Sequence, residues 1–146
     1  MKIVPLTTEH LSRLYESGEH AMLAPLLSDA TYAPALIAAG PCFAALRDGL
    51  VVGAAGLIRQ WPGRAVAWAL LGRPSGACML QIHRAVRRFL DSCGERRVEA
   101  AVDHEFGPAH HWMDLLGFKH ECLAPGYLPD GRAADLYALV KGGQKS

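Results

Sequence analysis

Apolar residues recur along the chain at two spacings, one typical of helices and the other typical of strands. Leu14 and Tyr15 follow Leu11 by three and four residues, as on one face of an amphipathic helix. Thr7 or Thr8 precedes them, and a threonine hydroxyl at a helix start accepts a hydrogen bond from the first turn. The pattern predicts a helix that begins directly after a short first strand.

Three further segments have helical patterns. Residues 19–40 are rich in Ala and Leu and are interrupted by two prolines, which predicts two short helices. Residues 79–93 carry apolar side chains on one face and arginines on the opposite face, which predicts an amphipathic helix. Another helix is predicted between Pro108, which a first helical turn tolerates, and Gly117, which suits a left-handed C-terminal position.

Short apolar runs bounded by turn residues predict strands between these helices. The most distinctive is a hairpin centred on Asp48 and Gly49, because Asp-Gly between two apolar runs favours a tight turn. The order of elements predicts an α/β (α+β) protein with a mixed sheet. We expect one domain over residues 1–141 and a polar tail over residues 142–146. The predicted strands cover residues 3–6, 42–46, 50–59, 65–71, 97–102, 118–123 and 133–140.

Composition narrows the class of protein. The chain has 146 residues, of which 51% are hydrophobic and 20% charged, and its formal net charge is +1. Such a balance favours neither nucleic acid nor an anionic membrane as a partner. The four cysteines form no C-x-x-C pair, which is typical of reduced thiols in the cytoplasm. The sequence has neither the apolar core of a signal peptide nor an apolar run of spanning length, so we expect a cytoplasmic protein without membrane attachment.

The segment after the strand at 65–71 indicates an anion site. This strand leads into residues 72–78 (GRPSGAC) and then into the predicted helix at 79–93. A helix that follows a glycine-containing loop presents backbone N–H groups that suit a pyrophosphate. The loop therefore predicts a nucleotide-bearing ligand, although proline and glycine are also common in any strand-to-helix turn.

A second segment, residues 108–118 (PAHHWMDLLGF), completes a recognisable arrangement. Ala109 stands eight residues before its Gly-Phe pair, and Trp112 stands five before it. With the loop at 73–78 ahead of it, this segment resembles the corresponding motif of the GCN5-related N-acetyltransferase family. The resemblance covers about residues 43–140.

The loop supports the same resemblance in part. Arg73 and Gly76 match the family's pattern Arg/Gln-x-x-Gly-x-Gly/Ala, whereas Cys78 replaces its last small residue. Residues 112–140 are, in addition, similar to small acetyltransferase-like proteins encoded by phages. The resemblance implies a single domain with a mostly antiparallel sheet of six to seven strands, flanked by about four helices.

The resemblance also implies a reaction and a cofactor. It implies an N-acetyltransferase that moves an acetyl group from acetyl-CoA directly to a primary amine in a ternary complex. The pantetheine arm would bind along the fourth strand, and the pyrophosphate would bind at the loop and helix start. The implied cofactor-binding residues are Ala67, Trp68, Ala69, Leu70, Leu71, Arg73, Ser75, Gly76, Ala77, Cys78, Met79 and His110.

Acid-base residues are harder to assign from the resemblance. Many family members have a tyrosine that acts as the general acid four residues before the glycine of Gly-Phe. This chain has Met113 at that position, and a methionine cannot donate a proton. Tyr127, in the loop between the last two strands, and His110 or His111 could replace that tyrosine as the acid. For the base, His104 and Glu105 lie where the fifth strand should end, near the acetyl group. The candidate catalytic residues are Tyr127, His104, Glu105 and His111.

Two other functions stay open at this point. Met113 favours a catalytically silent member of the fold, such as a phage structural or host-interaction protein in the virion or host cytoplasm. Arginines between residues 84 and 97 suggest nucleic-acid binding, but the near-zero net charge and the lack of interleaved aromatic residues argue against it.

His110 and His111 project about 100° apart on a helix, so we expect no metal site. The acceptor is either a small-molecule amine or a protein or peptide amine, and edge strands would allow a homodimer.

Overall fold

The computed structural model describes residues 1–16, 30–72 and 78–142. Its elements are β1 (Lys2–Pro5), α1 (Thr8–Glu16), α2 (Tyr32–Ala38), β2 (Cys42–Arg47), β3 (Leu50–Trp61), β4 (Arg64–Leu71), α3 (Met79–Ser92), β5 (Arg97–Asp103), α4 (Gly107–Leu116), β6 (Lys119–Ala124) and β7 (Ala134–Val140).

Seven strands form one sheet in the order β1-β2-β3-β4-β5-β7-β6. The β4–β5 pair is parallel, and the β1–β2, β2–β3, β5–β7 and β6–β7 pairs are antiparallel. The predicted α/β class is confirmed.

The chain divides into two compact units. The first combines Met1–Ile58 with Trp68–Asp91, and the second combines Arg59–Ala67 with the chain from Ser92 onward. Of the two helices predicted in residues 19–40, the second is α2, whereas the first falls largely outside the described residues. Among the residues that the structure describes, no helix is both long and apolar enough to cross a membrane.

The first unit is organised by α1 and the β2–β3 hairpin. The predicted cap is confirmed, because the Thr7 hydroxyl accepts the His10 N–H at 3.3 Å while His10 Nδ1 accepts the Thr7 N–H at 3.0 Å. Leu11 and Leu14 are buried in the core of this unit, whereas Tyr15 is exposed. The hairpin turns at Asp48 and Gly49, whose φ angles of 53° and 80° identify the left-handed turn that Asp-Gly favours.

The second unit is built on β5, β6 and β7. Val98, Ala100 and Val102 form the buried face of β5, so alternate residues Arg97, Glu99 and Ala101 lie on the opposite face. Helix α4 ends at Gly117, as predicted, with a φ of 91°.

Helix α4 differs from its predicted core face at one position. The spacing of Trp112, Leu115 and Leu116 predicts that all three are buried, yet Leu115 is exposed. Met113 takes its place in the core beside Leu116. The apolar stripe of the helix is therefore rotated by part of a turn from the one that leucine spacing predicts.

A network of four charged side chains covers the outer face of β5, and we call it the ion network. Arg64 donates two hydrogen bonds to the Glu99 carboxylate, at 2.7 and 2.8 Å. Arg97 donates to Glu99 at 2.7 Å and to Glu121 at 3.0 Å. These partners lower the pKa of Glu99 from 4.5 to about 2, with the Arg64 hydrogen bond as the largest cause. Glu99 is thus a permanent anion at physiological pH.

Candidate acid-base site

A cluster of histidines lies on the other face of the same strands. The β5–β7 register sets Ala100 opposite Tyr137 and Val102 opposite Asp135, so both polar side chains share the buried face of β5. His120 of β6 stands opposite Tyr137 and therefore lies on this face as well. His104 directly follows β5, and His110 belongs to α4. We call these five residues the histidine cluster.

The Asp135 carboxylate is the centre of the histidine cluster. Its side chain is 6% exposed, and each of its oxygens has a histidine partner. His104 Nδ1 lies 2.7 Å from Oδ2, and His120 Nε2 lies 2.7 Å from Oδ1. Hydrogen bonds from His120 and then His104 hold the pKa of Asp135 below its usual value, so the group is an anion near neutral pH.

This contact determines the tautomer of His104. An ionised carboxylate only accepts hydrogen bonds, so His104 Nδ1 must carry the proton that it shares with Asp135. In the neutral ring, Nε2 then holds the lone pair. The His104 side chain is 55% exposed, so the ring is open to solvent. A histidine oriented by a carboxylate in this way is suited to act as a general base.

His110 has the opposite arrangement. Its Nε2 lies 3.1 Å from the carbonyl oxygens of Asp103 and His104, and carbonyls accept hydrogen bonds, so Nε2 carries the proton. Nδ1 then accepts the hydrogen bond from the Tyr137 hydroxyl, at 2.6 Å. His110 therefore ties α4 to β7 and to the backbone that carries His104.

Tyr137 is a buried partner in this arrangement. Burial raises the pKa of its hydroxyl, and the negative charges of Asp114 and Asp135 raise it further. The group stays protonated at physiological pH and donates to His110.

The backbone around His104 is held from two sides. The His104 N–H donates to the Ala133 carbonyl at 3.1 Å, just before β7. Arg132 pairs with Asp103 at 2.8 Å and with Asp130 at 2.7 Å, which links the end of β5 to the loop before β7. His104 is thus fixed at its ring and at its main chain.

Of the predicted catalytic residues, only His104 belongs to the histidine cluster. Glu105 is exposed, and its backbone N–H donates to the Asp103 carboxylate at 2.9 Å. His111 is exposed on α4, and Tyr127 is exposed in the loop between β6 and β7. His110, which the resemblance implies as a cofactor residue, lies in the cluster instead and bonds Tyr137.

The residues implied in cofactor binding divide into two groups. Arg73, Ser75, Gly76 and Ala77 lie outside the described residues. Ala67, Trp68, Ala69, Leu70 and Leu71 belong to β4, and Met79 begins α3 directly after the buried Cys78. The parallel pairs of β4 with β5 are formed by residues 64–66, while β4 continues to Leu71.

Sequence reasoning missed three members of the cluster: Asp135, His120 and Tyr137. Asp135 did leave a signal, because a carboxylate in the strand ADLYALV breaks an otherwise apolar pattern and requires a buried partner. His120 had no comparable signal, since it lies in a strand of mostly exposed residues. The described residues contain no group of three or more His, Cys, Asp or Glu side chains that could hold a metal ion.

Comparison with known proteins establishes the fold. Neither a protein-family model nor a curated protein matches the sequence. A ribosomal-protein-S5-alanine acetyltransferase from Vibrio fischeri has a TM-score of 0.72 and 13% identity, with 99% of this chain and 94% of that chain covered. A spermidine N-acetyltransferase mutant from Vibrio cholerae has a TM-score of 0.67 and 12% identity, covering 96% and 95%. A Salmonella typhimurium protein solved with its cofactor acetyl-CoA has a TM-score of 0.70 and 16% identity, covering 96% and 93%.

Proposed function

We propose that this protein is an N-acetyltransferase that moves an acetyl group from acetyl-CoA to a primary amine, with His104 as the general base. The observation that carries the proposal is the Asp135–His104 pair at the end of β5, in a chain with the fold of acetyltransferases. The similar structures support an amine acceptor, since one is named for spermidine and another for a ribosomal-protein alanine.

A base is needed because amines are protonated at neutral pH. A lysine-like amine has a pKa near 10.4, so most of it is ammonium and has no lone pair for attack. His104 Nε2 takes a proton from the ammonium, and the freed nitrogen attacks the thioester carbon. The new C–N bond forms as the C–S bond breaks. The nitrogen loses its second proton to solvent, and the leaving thiolate takes one proton from solvent, so the protons balance.

Acetyl-CoA would supply the activated acetyl group. The backbone of β4 from Ala67 to Leu71 lies beyond the residues that pair with β5, which supports this segment as the one that bonds the pantetheine arm. Residues 73–79 would bind the pyrophosphate, as the resemblance implies. Direct transfer in a ternary complex is part of the proposal.

One observation favours a second function. Met113 is buried, so the position of the family's tyrosine acid holds an apolar core residue. A thiolate with a pKa near 8.5 needs little help in leaving, which makes this loss tolerable for catalysis. A protein that kept the fold without turnover, and acted through a protein partner, would also tolerate it.

The test is to measure turnover and cofactor binding in the same set of proteins. Thiol release from acetyl-CoA is followed with spermidine and with an alanine-terminated peptide, and acetyl-CoA binding is followed by calorimetry. We expect His104→Ala to lower kcat by about 100-fold or more while the Kd for acetyl-CoA is unchanged. Glu105→Gln and His111→Ala are the matched variants for the neighbouring candidates.

Three results separate the hypotheses. Loss of turnover in Glu105→Gln or His111→Ala, with His104→Ala active, would move the base to that residue. Acetyl-CoA binding without turnover on any amine would favour the silent fold member. No binding of acetyl-CoA by the unmodified protein would reject the proposed function.

A further inference from the structure

The proposed base lies in a tight turn. The Phe106 N–H donates to the Asp103 carbonyl at 3.0 Å, so residues 103–106 form a β-turn with His104 and Glu105 at its two central positions. In the described part of the chain, Asp48 is the only non-glycine residue with a positive φ, so Glu105 has a negative φ. A hydrogen-bonded turn of this kind is type I. The direction of the His104 side chain therefore depends on how firmly this turn is held.

One side chain of helix α4 reaches this turn. His110 Nε2 lies 3.1 Å from the carbonyl oxygen of Asp103 and 3.1 Å from that of His104, and its N–H donates to both. The His104 carbonyl belongs to the central peptide of the turn, so this bond sets the orientation of that peptide. The two imidazole rings also lie edge-on, with their centroids 6.4 Å apart. His110 therefore restrains the main chain of the base and borders its ring.

His110 is itself held in one orientation. Its Nδ1 accepts from the Tyr137 hydroxyl at 2.6 Å, and its side chain is 25% exposed. The distance from His110 Nε2 to the Asp135 carboxylate is 3.6 Å, which is too long for a hydrogen bond. The N–H of His110 thus bonds the turn and not the carboxylate.

Other bonds to the turn remain when His110 is replaced. Asp103 Oδ1 accepts the Glu105 N–H at 2.9 Å, and Arg132 pairs with Asp103 Oδ2 at 2.8 Å. Neither bond involves the His104 carbonyl, so the restraint on the central peptide is what His110 adds. Without His110 we therefore expect a loosened turn and not an unfolded one.

We propose that His110 is a positioning residue, which holds the turn so that the imidazole of His104 stays aligned with the acceptor amine. His110 neither contacts the substrate nor moves a proton. Displacement of a reacting group by about 1 Å can lower a rate by about 100-fold, so a loose turn slows transfer without weakening substrate binding. The role in catalysis rests on the proposed function of His104, whereas the effect on the turn does not.

The kinetic test compares variants of His110 with and without a donor. His110→Phe keeps a flat ring but has no N–H, whereas His110→Gln keeps an N–H donor near the position of Nε2. We expect kcat to fall by about 10-fold or more in His110→Phe, with KM within about twofold, and to recover to within about threefold in His110→Gln. Leu116→Val is the matched control, because it shortens a buried side chain of α4 and leaves the bonds of the turn in place. Its kcat should stay near that of the unmodified protein.

Amide hydrogen exchange tests the turn without any turnover. We expect the Phe106 and Glu105 amides to exchange about 5-fold faster or more in His110→Phe, because their acceptors on Asp103 are held less firmly. The amide of Val98, paired on both sides within the sheet, reports global opening, and the acceleration at the turn should exceed the one at Val98.

Two further measurements cover the case in which His110→Phe does not fold. His110→Met is a second variant without a donor. In the unmodified protein, long-range ¹H–¹⁵N NMR should show the His110 proton on Nε2, and a proton on Nδ1 alone would overturn the inference with no variant needed.

Three other results would overturn it as well. One is unchanged exchange at the turn in the variant without a donor. Another is a loss of kcat in His110→Gln as large as in His110→Phe, which would mean that the imidazole itself takes part. The third is an equal loss in Leu116→Val, which would assign the effect to the packing of α4. If the unmodified protein acetylates no amine, the proposed function fails, and the exchange rates alone decide whether His110 holds the turn.

Discussion

The two faces of β5 carry polar networks that hold charge in different ways. On the outer face, the ion network balances two arginines against two glutamates, and the pKa of Glu99 is lowered to about 2. On the inner face, a single buried carboxylate, Asp135, accepts hydrogen bonds from the exposed rings of His104 and His120. The first arrangement consists of ionised groups of both signs, whereas the second sets one anion against two imidazole rings. The ion network is suited to stability, and the histidine cluster lies where the proposed acid-base chemistry would take place.

The largest effect on activity is expected when Asp135 is substituted. In Asp135→Asn, the amide can no longer accept from both histidines as an anion, so His104 loses both its tautomer preference and its charge partner. We expect kcat for acetyl transfer to fall by about 100-fold or more, with a smaller change in the Kd for acetyl-CoA. Steady-state kinetics at several pH values would measure it.

Asp130→Asn is the matched control for that prediction. Asp130 is also bonded near the start of β7, through Arg132, but it does not belong to the histidine cluster. Its substitution should leave kcat within about twofold. A similar loss in both variants would show that the loop before β7, and not the carboxylate of Asp135, controls the rate.

The ion network should respond in stability and not in rate. In Glu99→Gln, Arg64 and Arg97 lose the carboxylate between them, and we expect the free energy of unfolding to fall by about 1–2 kcal/mol. Urea unfolding at pH 7 measures this change. Turnover by the folded protein should be unaffected, because Glu99 lies on the face away from His104.

The pH dependence of stability sharpens the same prediction. Because the pKa of Glu99 falls from 4.5 to about 2 on folding, its contribution is fully present above about pH 4.5 and is lost as the pH falls toward 2. The unmodified protein and Glu99→Gln should therefore converge in stability at acid pH. Glu9→Gln, which breaks an exposed i,i+4 pair on α1, is the control and should cost a few tenths of a kcal/mol. Equal losses in the two variants would contradict the special role of the network.

The smallest effect is expected at Tyr137. Tyr137→Phe removes the hydroxyl that His110 Nδ1 accepts and leaves that nitrogen without its partner. We expect a loss of about 1 kcal/mol in the free energy of unfolding, measured by thermal or urea unfolding. Tyr15→Phe, at an exposed tyrosine of α1, should be neutral and serves as the control. A loss of turnover in Tyr137→Phe as large as that in Asp135→Asn would instead indicate that the hydroxyl takes part in the reaction.

The elements of the fold were predictable because they depend on local pattern. The Thr7 cap, the Asp48-Gly49 turn and the Gly117 helix end each follow from a residue with one favoured backbone role, and each is confirmed. The prediction that Leu115 is buried was wrong, because leucine spacing alone does not distinguish two overlapping apolar stripes on a helix.

The candidate site was predictable only in part because it depends on pairing across the sheet. His104 could be proposed from its place after β5, but its partner Asp135 lies 31 residues further along the chain. The register that sets Asp135 opposite Val102 is a tertiary property. His120 could not be predicted for the same reason. The side of the sheet on which it lies depends on an irregularity in the β6–β7 pairing.

That irregularity has a consequence for how this protein can change. His120 stands opposite Tyr137 and Cys122 opposite Leu136, so Glu121 is an extra residue that takes no position in the register. Glu121 therefore places a carboxylate on the outer face, where Arg97 bonds it, while His120 and Cys122 on either side of it keep their partners on β7. The edge strand β6 therefore has one residue more than its pairing with β7 requires. Removal of Glu121 should therefore take one carboxylate from the outer face and leave His120 opposite Tyr137.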